Sequence, residues 1–267
     1  MARPVIALLT DFGSRDHYAG AMKGVALAIC PDLTLVDITH DLSPHDVLGG
    51  ALELAACYRY FPAGTIFLVV VDPGVGSTRR GIAAEAGDHK FVAPDNGVLT
   101  VVFDETPPKR IVELTERRYA RPTVSRTFEG RDRFAPAAAW LAKGIELSAL
   151  GRPAGAVQRL ELPKPRLDED RIVGEVLRVD RFGNLVSNID RKMFERLATA
   201  DTAGSLDIRI GPHQVGKVVS TYADAAPGEL CALVGSSEHL EIAANGSSAA
   251  AALDLGRGAP VHVARHA

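Results

Sequence analysis

The chain has 267 residues, 46% hydrophobic and 24% charged, with a formal net charge of −3, enough for one large domain or two modest ones and without the basic excess of a nucleic-acid binder. Its longest strongly apolar stretch, "TIFLVVV", is too short to cross a bilayer, and "MARPVIALLTDFG" has too short an apolar core for a secretory signal. Cys30, Cys57 and Cys231 are widely spaced with no CxxC, which argues against a disulfide framework or zinc knuckle and for a reducing, cytoplasmic setting.

In chain order, "VIALLTDFG" predicts a buried strand running into a turn, and "DHYAGAMKGVALAICP" a helix stopped by Pro31. "LTLVDITHDL" predicts a second strand and "PHDVLGGALELAACYRYFP" a second helix closed by Pro62. "TIFLVVVDPGVG" predicts a third strand, apolar on both faces as in a parallel sheet. "RGIAAEAGDHKFVAPDNGVLTVVFDE" predicts a hairpin and then a helical or mixed segment, and "RFAPAAAWLAKG" is helix-like. This alternation predicts an α/β domain over residues 1–158, with a mainly parallel sheet and helices on both faces. The texture then changes. "LPKPRLDED" marks a linker, taken as residues 159–170. Short β-like runs follow: "RIVGEVLRVD", "SLDIRIG", "HQVGKVVST", "ELCALVG", "HLEIAAN" and "APVHVAR". With helical content falling, they predict a smaller β-rich, barrel-like domain over 171–267. "NGSSAAAAL" is expected to be a short helix.

Ligands of α/β sheets gather at the carboxyl ends of the strands. Asp11, Asp37 and Asp72 stand at such ends. Each can hold a ribose diol or, more plainly, cap a turn. Asp37 is expected to be buried beside His40 in a structural role. In "DPGVGSTRR", Gly74 and Gly76 let backbone approach a ligand closely, and Asp72 and Arg79 can converge across the loop. The string is neither a phosphate loop nor a dinucleotide fingerprint, and its plainer alternative is a turn with an ion pair. In "TFEGRDRF", Glu129 is either a helix-start charge or a group facing a ligand. "DRFGNLVSNI" sets Asp180, Phe182 and Asn184 around Gly183: an aromatic face and an amide suit a purine, though a tight turn uses the same residues. There is no HExxH, no clustered Cys/His and no GxSxG, so neither a metal site nor a serine nucleophile is expected.

Seven strings in order resemble the S-adenosyl-L-methionine (SAM) hydroxide adenosyltransferases, or SAM hydrolases, which are relatives of halogenating enzymes that cleave the same substrate. They are "LLTDFGSRDHYAGAMKG", "ICPDLTLVDITHDLSPHDV", "FPAGTIFLVVVDPGVGSTRR", "FVAPDNGVLT", "TFEGRDRFAPAAA", "DRFGNLVSNI" and "GSSEHLEIAANGSSAA". The resemblance implies an α/β N-terminal domain and a β-barrel-like C-terminal domain. It also implies a homotrimer with sites between subunits, SAM as substrate, and neither metal nor redox cofactor. Asp11 then resembles the ribose acid, and Asp72 and Arg79 two members of a water-binding triad. Phe182, Asn184, Asn245 and Gly246 resemble the adenine pocket, Tyr222 an aromatic near the nucleoside, and Asp180 and Ser236 the groups that hold the methionine end. The third triad member is where the chain departs: the family string is T-F-His-G-R-D, and here the histidine position is Glu129. The reaction implied is attack of water or hydroxide at C5′, releasing adenosine and L-methionine. The competing expectations are a SAM- or adenosine-binding protein whose chemistry Glu129 has weakened, and a halide-using enzyme. Asp72 opposes the latter by placing negative charge where a halide would sit.

Overall fold

Strand β1 (Val5–Thr10) alternates two buried sets, Ile6 and Leu8 toward one face and Ala7 and Leu9 toward the other, so this strand is covered on both sides. The computed structural model to which it belongs describes residues 3–168, 170–198 and 206–265. Met1 and Ala2 of the N-terminal string, Glu169 of the expected linker and Ser205 of "SLDIRIG" lie outside the described residues. The chain divides into two compact units, Met1–Leu160 and Glu161–Ala267.

In the first unit, β1 leads to α1 (Tyr18–Ile29), β2 (Thr34–Thr39), α2 (Val47–Cys57) and β3 (Ile66–Val70). The hairpin β4 (Gly81–Ala86) and β5 (His89–Pro94), α3 (Thr100–Glu105), β6 (Pro108–Glu113) and α4 (Ala135–Ala142) follow. The sheet order is β2-β1-β3-β5-β4-β6. Strands β2, β1, β3 and β5 run parallel, and β4 pairs antiparallel with β5 and β6. Met22 of α1 and Ala135, Ala138 and Ala139 of α4 pack on the face that carries Ile6, Leu8 and Leu68. Leu54 of α2 and Val102 and Phe103 of α3 cover the face of Ala7, Phe67 and Val69. The result is the expected α/β unit with a mainly parallel sheet between two helical layers.

The second unit carries β7 (Arg166–Leu167), β8 (Arg171–Val179), β9 (Leu185–Asp190), α5 (Arg191–Leu197) and β10 (Leu206–Ile210). It continues with β11 (His213–Val215), β12 (Leu230–Val234), β13 (His239–Ala244), α6 (Ala249–Leu253) and β14 (Pro260–Arg265). Strands pair antiparallel in the order β11-β10-β14-β8-β9-β13-β12. The Val219 N–H donates to the Ala232 carbonyl at 2.9 Å and the Ala232 N–H to the Lys217 carbonyl at 2.8 Å, so the segment after β11 meets β12 and nearly closes the sheet into a barrel. Ile172, Leu185, Ile208, Ile242 and Val261 fill its interior. The "LPKPRLDED" string is not strand-free, because Arg166 and Leu167 pair with β8. Strand β9 and helix α5 extend beyond the turn seen in "DRFGNLVSNI"; Asp190 caps α5 by accepting from the Met193 N–H at 2.7 Å.

Candidate active site

Thr10 pairs with Val70 across the parallel β1–β3 register, so Asp11 and Asp72 leave the sheet at the carboxyl ends of neighbouring strands. Asp11 accepts from the backbone N–H of His45 at 2.8 Å. Its loop is anchored from below: the Thr10 hydroxyl lies 2.8 Å from His40 Nδ1, and the Gly13 N–H donates to the His40 carbonyl at 2.7 Å. Asp37 does lie beside His40, 3.0 Å from its Nε2, but the expectation that it is buried is corrected: its side chain is 43% exposed. The reason is that β2 is the edge strand, and Asp37 reaches outward to Lys23 of α1 at 2.6 Å. Partial burial works against its carboxylate, but Lys23 and His40 outweigh this and hold it below the usual range.

Asp72 and Arg79 converge. Arg79 Nε donates to Asp72 Oδ1 at 2.8 Å, and its Nη2 to Asp72 Oδ2, a bidentate pair that is nearly buried. Arg79 Nη1 also lies 2.7 Å from Glu129 Oε2. That contact is a close ion pair, and Glu129 Oε2 is buried. The guanidinium rests over the Phe134 ring, 5.1 Å from its centroid. Burial pulls the Arg79 pKa down, but Asp72 and Glu129 more than offset this, so Arg79 stays charged.

Two glycines bring these loops together. Gly76 has φ +76°, and a Cβ there would lie 2.4 Å from the carbonyl oxygen of Arg126. Only glycine lets the Asp72–Arg79 loop sit so close to the segment that leads to Glu129. Gly130 packs against Met22 and Val70, the latter at the exit of β3. Residues Gly130–Phe134 form one π-helical turn before α4, a departure from the plain helix start expected of "RFAPAAAWLAKG" and a feature frequent at functional sites. The fully buried Asp132 locks this turn. It accepts from Arg131 Nε and Nη2 at 2.7 and 2.8 Å, from the Ser125 N–H at 2.9 Å and from Arg121 at 3.3 Å. Burial raises its pKa, but Arg131 and the Ser125 amide overcome this and leave it lowered.

The second unit gathers its own set. Asp180 accepts from the Phe182 and Asn184 backbone N–H groups and from Asn184 Nδ2, each at 2.9 Å, and so organises the β8–β9 turn. Gly183 is at φ +85°, where a Cβ would meet Ser248 Oγ at 2.0 Å. The turn is thus held against the start of α6 with Asn184 buried and Phe182 77% exposed. Tyr222 donates its hydroxyl to Glu241 Oε2 at 2.9 Å. Desolvation, then Glu241 and Asp180, push the phenol up to about 12. Glu241, 5% exposed on β13, was not anticipated; burial raises its pKa, and Asp180 adds to the shift. Its carboxylate lies over the backbone of Gly235, the residue that precedes the exposed Ser236 in the chain. The sequence signal was an acid inside the apolar run "HLEIAA". Asn245 donates its Nδ2 to the Ala225 carbonyl at 2.7 Å, and Gly246 follows at φ +73°. The first unit therefore brings together Asp72, Arg79 and Glu129 beside the Asp11 strand end, and the second brings Asp180, Phe182, Asn184 and Tyr222 into one neighbourhood.

The SAM hydroxide adenosyltransferase N-terminal domain matches residues 6–151, and the C-terminal domain of that family matches residues 174–262. The chain belongs to the SAM hydroxide adenosyltransferase family. Among similar members, an (R)-S-adenosyl-L-methionine hydrolase of Salinispora tropica is 40% identical over 251 residues, 92% of each chain. One from Thermus thermophilus is 38% identical over 271 residues, covering 98% of this chain and 99% of the relative. A fluorinase of Nocardia brasiliensis is 30% identical over 298 residues, 98% and 97% of the two chains. A crystal structure of a conserved protein from Thermotoga maritima superposes with a TM-score of 0.92 at 37% identity, over 97% of this chain and all of that one.

Proposed function

We propose that the protein hydrolyses SAM to adenosine and L-methionine by in-line attack of water at C5′. The observation that carries this reading is the buried cluster of Asp72, Arg79 and Glu129 at the carboxyl end of the sheet, in a family whose similar members are named SAM hydrolases. The C5′–O bond forms as the C5′–S bond breaks, and the electron pair passes to sulfur. A sulfonium leaves as a neutral thioether, so the leaving group needs no proton. The enzyme's work is to place the nucleophile in line. Glu129, held by Arg79 Nη1 at 2.7 Å from its Oε2, provides a carboxylate acceptor for the attacking water. Asp72 provides a second acceptor; the water proton passes to one of the two carboxylates as the C5′–O bond forms, and Arg79 offsets the negative charge of the pair. Asp11 holds the ribose hydroxyls, Phe182 and Asn184 with Asn245 and Gly246 receive the adenine beside Tyr222, and Asp180 and Ser236 face the methionine end. Asp180 does so while holding its own turn.

The protein is proposed to act as a cytoplasmic homotrimer, the site joining the first unit of one copy to the second unit of another. The 77% exposure of Phe182 supports this, since an aromatic side chain left so open suits a surface completed by another copy. No helix among the described residues is long and apolar enough to cross a membrane. Incubation with SAM in chloride-free buffer should give adenosine and L-methionine in equal amounts, and added chloride should give no 5′-chloro-5′-deoxyadenosine. Methylthioadenosine as the main product would overturn the reading. Light scattering should give the mass of three chains; a monomer that turns over SAM would remove the shared site.

A further inference from the structure

Glu129 has a second cationic neighbour that the water-holding cluster does not account for. Arg133, four residues on and within the same π-helical turn, donates from Nη1 to Glu129 Oε1 at 3.3 Å and from Nη2 to the Leu114 carbonyl at 3.4 Å. Its guanidinium is thus held between the chain just after β6 and the outer oxygen of Glu129. The other oxygen, Oε2, faces Arg79. Two carboxylates and one guanidinium carry a formal charge of −1, and Arg133 brings the group to zero.

We propose that Arg133 is the positioning residue for Glu129 in the hydrolysis proposed above, on which this inference rests. By holding Oε1, it keeps the carboxylate from rotating into a two-oxygen lock on Arg79 like the one Asp72 makes. The carboxylate is then fixed with Oε2 on Arg79 and Oε1 on Arg133, the orientation in which it meets the attacking water. The added cation also lowers the cost of developing hydroxide character beside two carboxylates. The side chain is about one-third exposed, so solvent screens the charge effect, and the geometric hold on Oε1 is the larger contribution. Among the described residues its hydrogen bonds go to Glu129 and the Leu114 carbonyl, so its role is positioning.

The test is a double-mutant cycle of Arg133→Gln and Glu129→Gln, with Arg133→Lys as the conservative variant, read in kcat, in KM for SAM and in urea unfolding. Arg133→Gln in the otherwise native chain should lower kcat about tenfold, the scale of one lost hydrogen bond to a charged group, with KM changed less than about twofold. Arg133→Lys should recover part of the loss. In the Glu129→Gln background, Arg133→Gln should change kcat less than about twofold, because no second carboxylate remains to be held. Equal kcat losses in both backgrounds, or no loss in either, would overturn the proposal. So would coupling seen in urea unfolding but absent from kcat, which would make the pair a stabilising contact only. A native chain that does not turn over SAM, while the urea cycle still shows coupling, would instead bring down the hydrolase reading and the positioning role together.

Discussion

Replacing Gly76 by alanine perturbs the contact that joins the two halves of the water-holding cluster. Gly76 lies at φ +76°, and that conformation alone costs an alanine about 1–2 kcal/mol. The new Cβ would stand 2.4 Å from the Arg126 carbonyl oxygen, whereas such contacts do not come closer than 3.0 Å, so one backbone must retreat by at least about 0.6 Å. Overpacking of this kind adds about 1–3 kcal/mol. Arg126 lies three residues before Glu129, and the Asp72–Arg79 pair sits on the loop opposite. A displacement approaching 1 Å between catalytic groups is worth up to about 10²-fold in rate. Gly76→Ala should therefore lose about 2–5 kcal/mol in urea unfolding, the strain and overpacking together. Turnover, followed as adenosine release on a separating column, should fall by about 10- to 100-fold at a temperature where the variant is folded. Gly144→Ala is the control: Gly144 lies at φ +90° with nothing within 4 Å of a new Cβ, so it should pay only the conformational cost and keep full turnover. If Gly76→Ala turns over SAM within twofold of the native rate, or matches Gly144→Ala in both measurements, the close approach does not set the cluster's geometry.

Asp72→Asn keeps the shape of the side chain but removes a charge and one acceptor for Arg79; kcat should fall about 10²-fold with SAM affinity, measured by calorimetry, little changed. Asp132→Asn should cost about 2 kcal/mol at neutral pH from weakened charge-assisted bonds. Because the folded-state pKa of Asp132 is lowered, its contribution is complete above the unfolded carboxylate value near 4 and is lost as pH falls through the lower folded value, so the urea midpoints of native and variant should converge in acid. Glu241→Gln should show the opposite slope. With its folded pKa raised, Glu241 favours the fold fully below the unfolded value and progressively less as pH rises through the raised one, so the variant should gain on the native protein between about pH 4 and neutrality. A pH-independent difference would show that Glu241 is not held against its charge.

The sequence by itself determined the layers. A strand such as "IFLVV", apolar at every position, can only be covered on both sides, and the helical spacing of "YAGAMKGVALAI" supplies part of that cover. Strand-end position likewise marks Asp11 and Asp72 in the sequence, because a parallel sheet sends its strand exits to one edge. Helix α5 is less legible, since Asn and Gly of "DRFGNLVSNI" mark a turn between strands and nothing in that string announces the helix that follows the second strand. Asp37 was misjudged as buried because burial depends on which strand is the edge, and strand order is a long-range property. Tertiary structure alone decided what surrounds Glu129. Arg79 is fifty residues away in the chain, and its guanidinium reaches Glu129 only because Gly76 lets one loop press on another. The π-helical turn that presents Glu129 to Arg133 depends on hydrogen bonds gathered by Asp132 from Arg121 and Ser125, upstream of the turn. Local propensity reports on neighbours a few residues apart, whereas the hold on each oxygen of Glu129 depends on backbone packing between distant segments, which no short stretch of sequence contains.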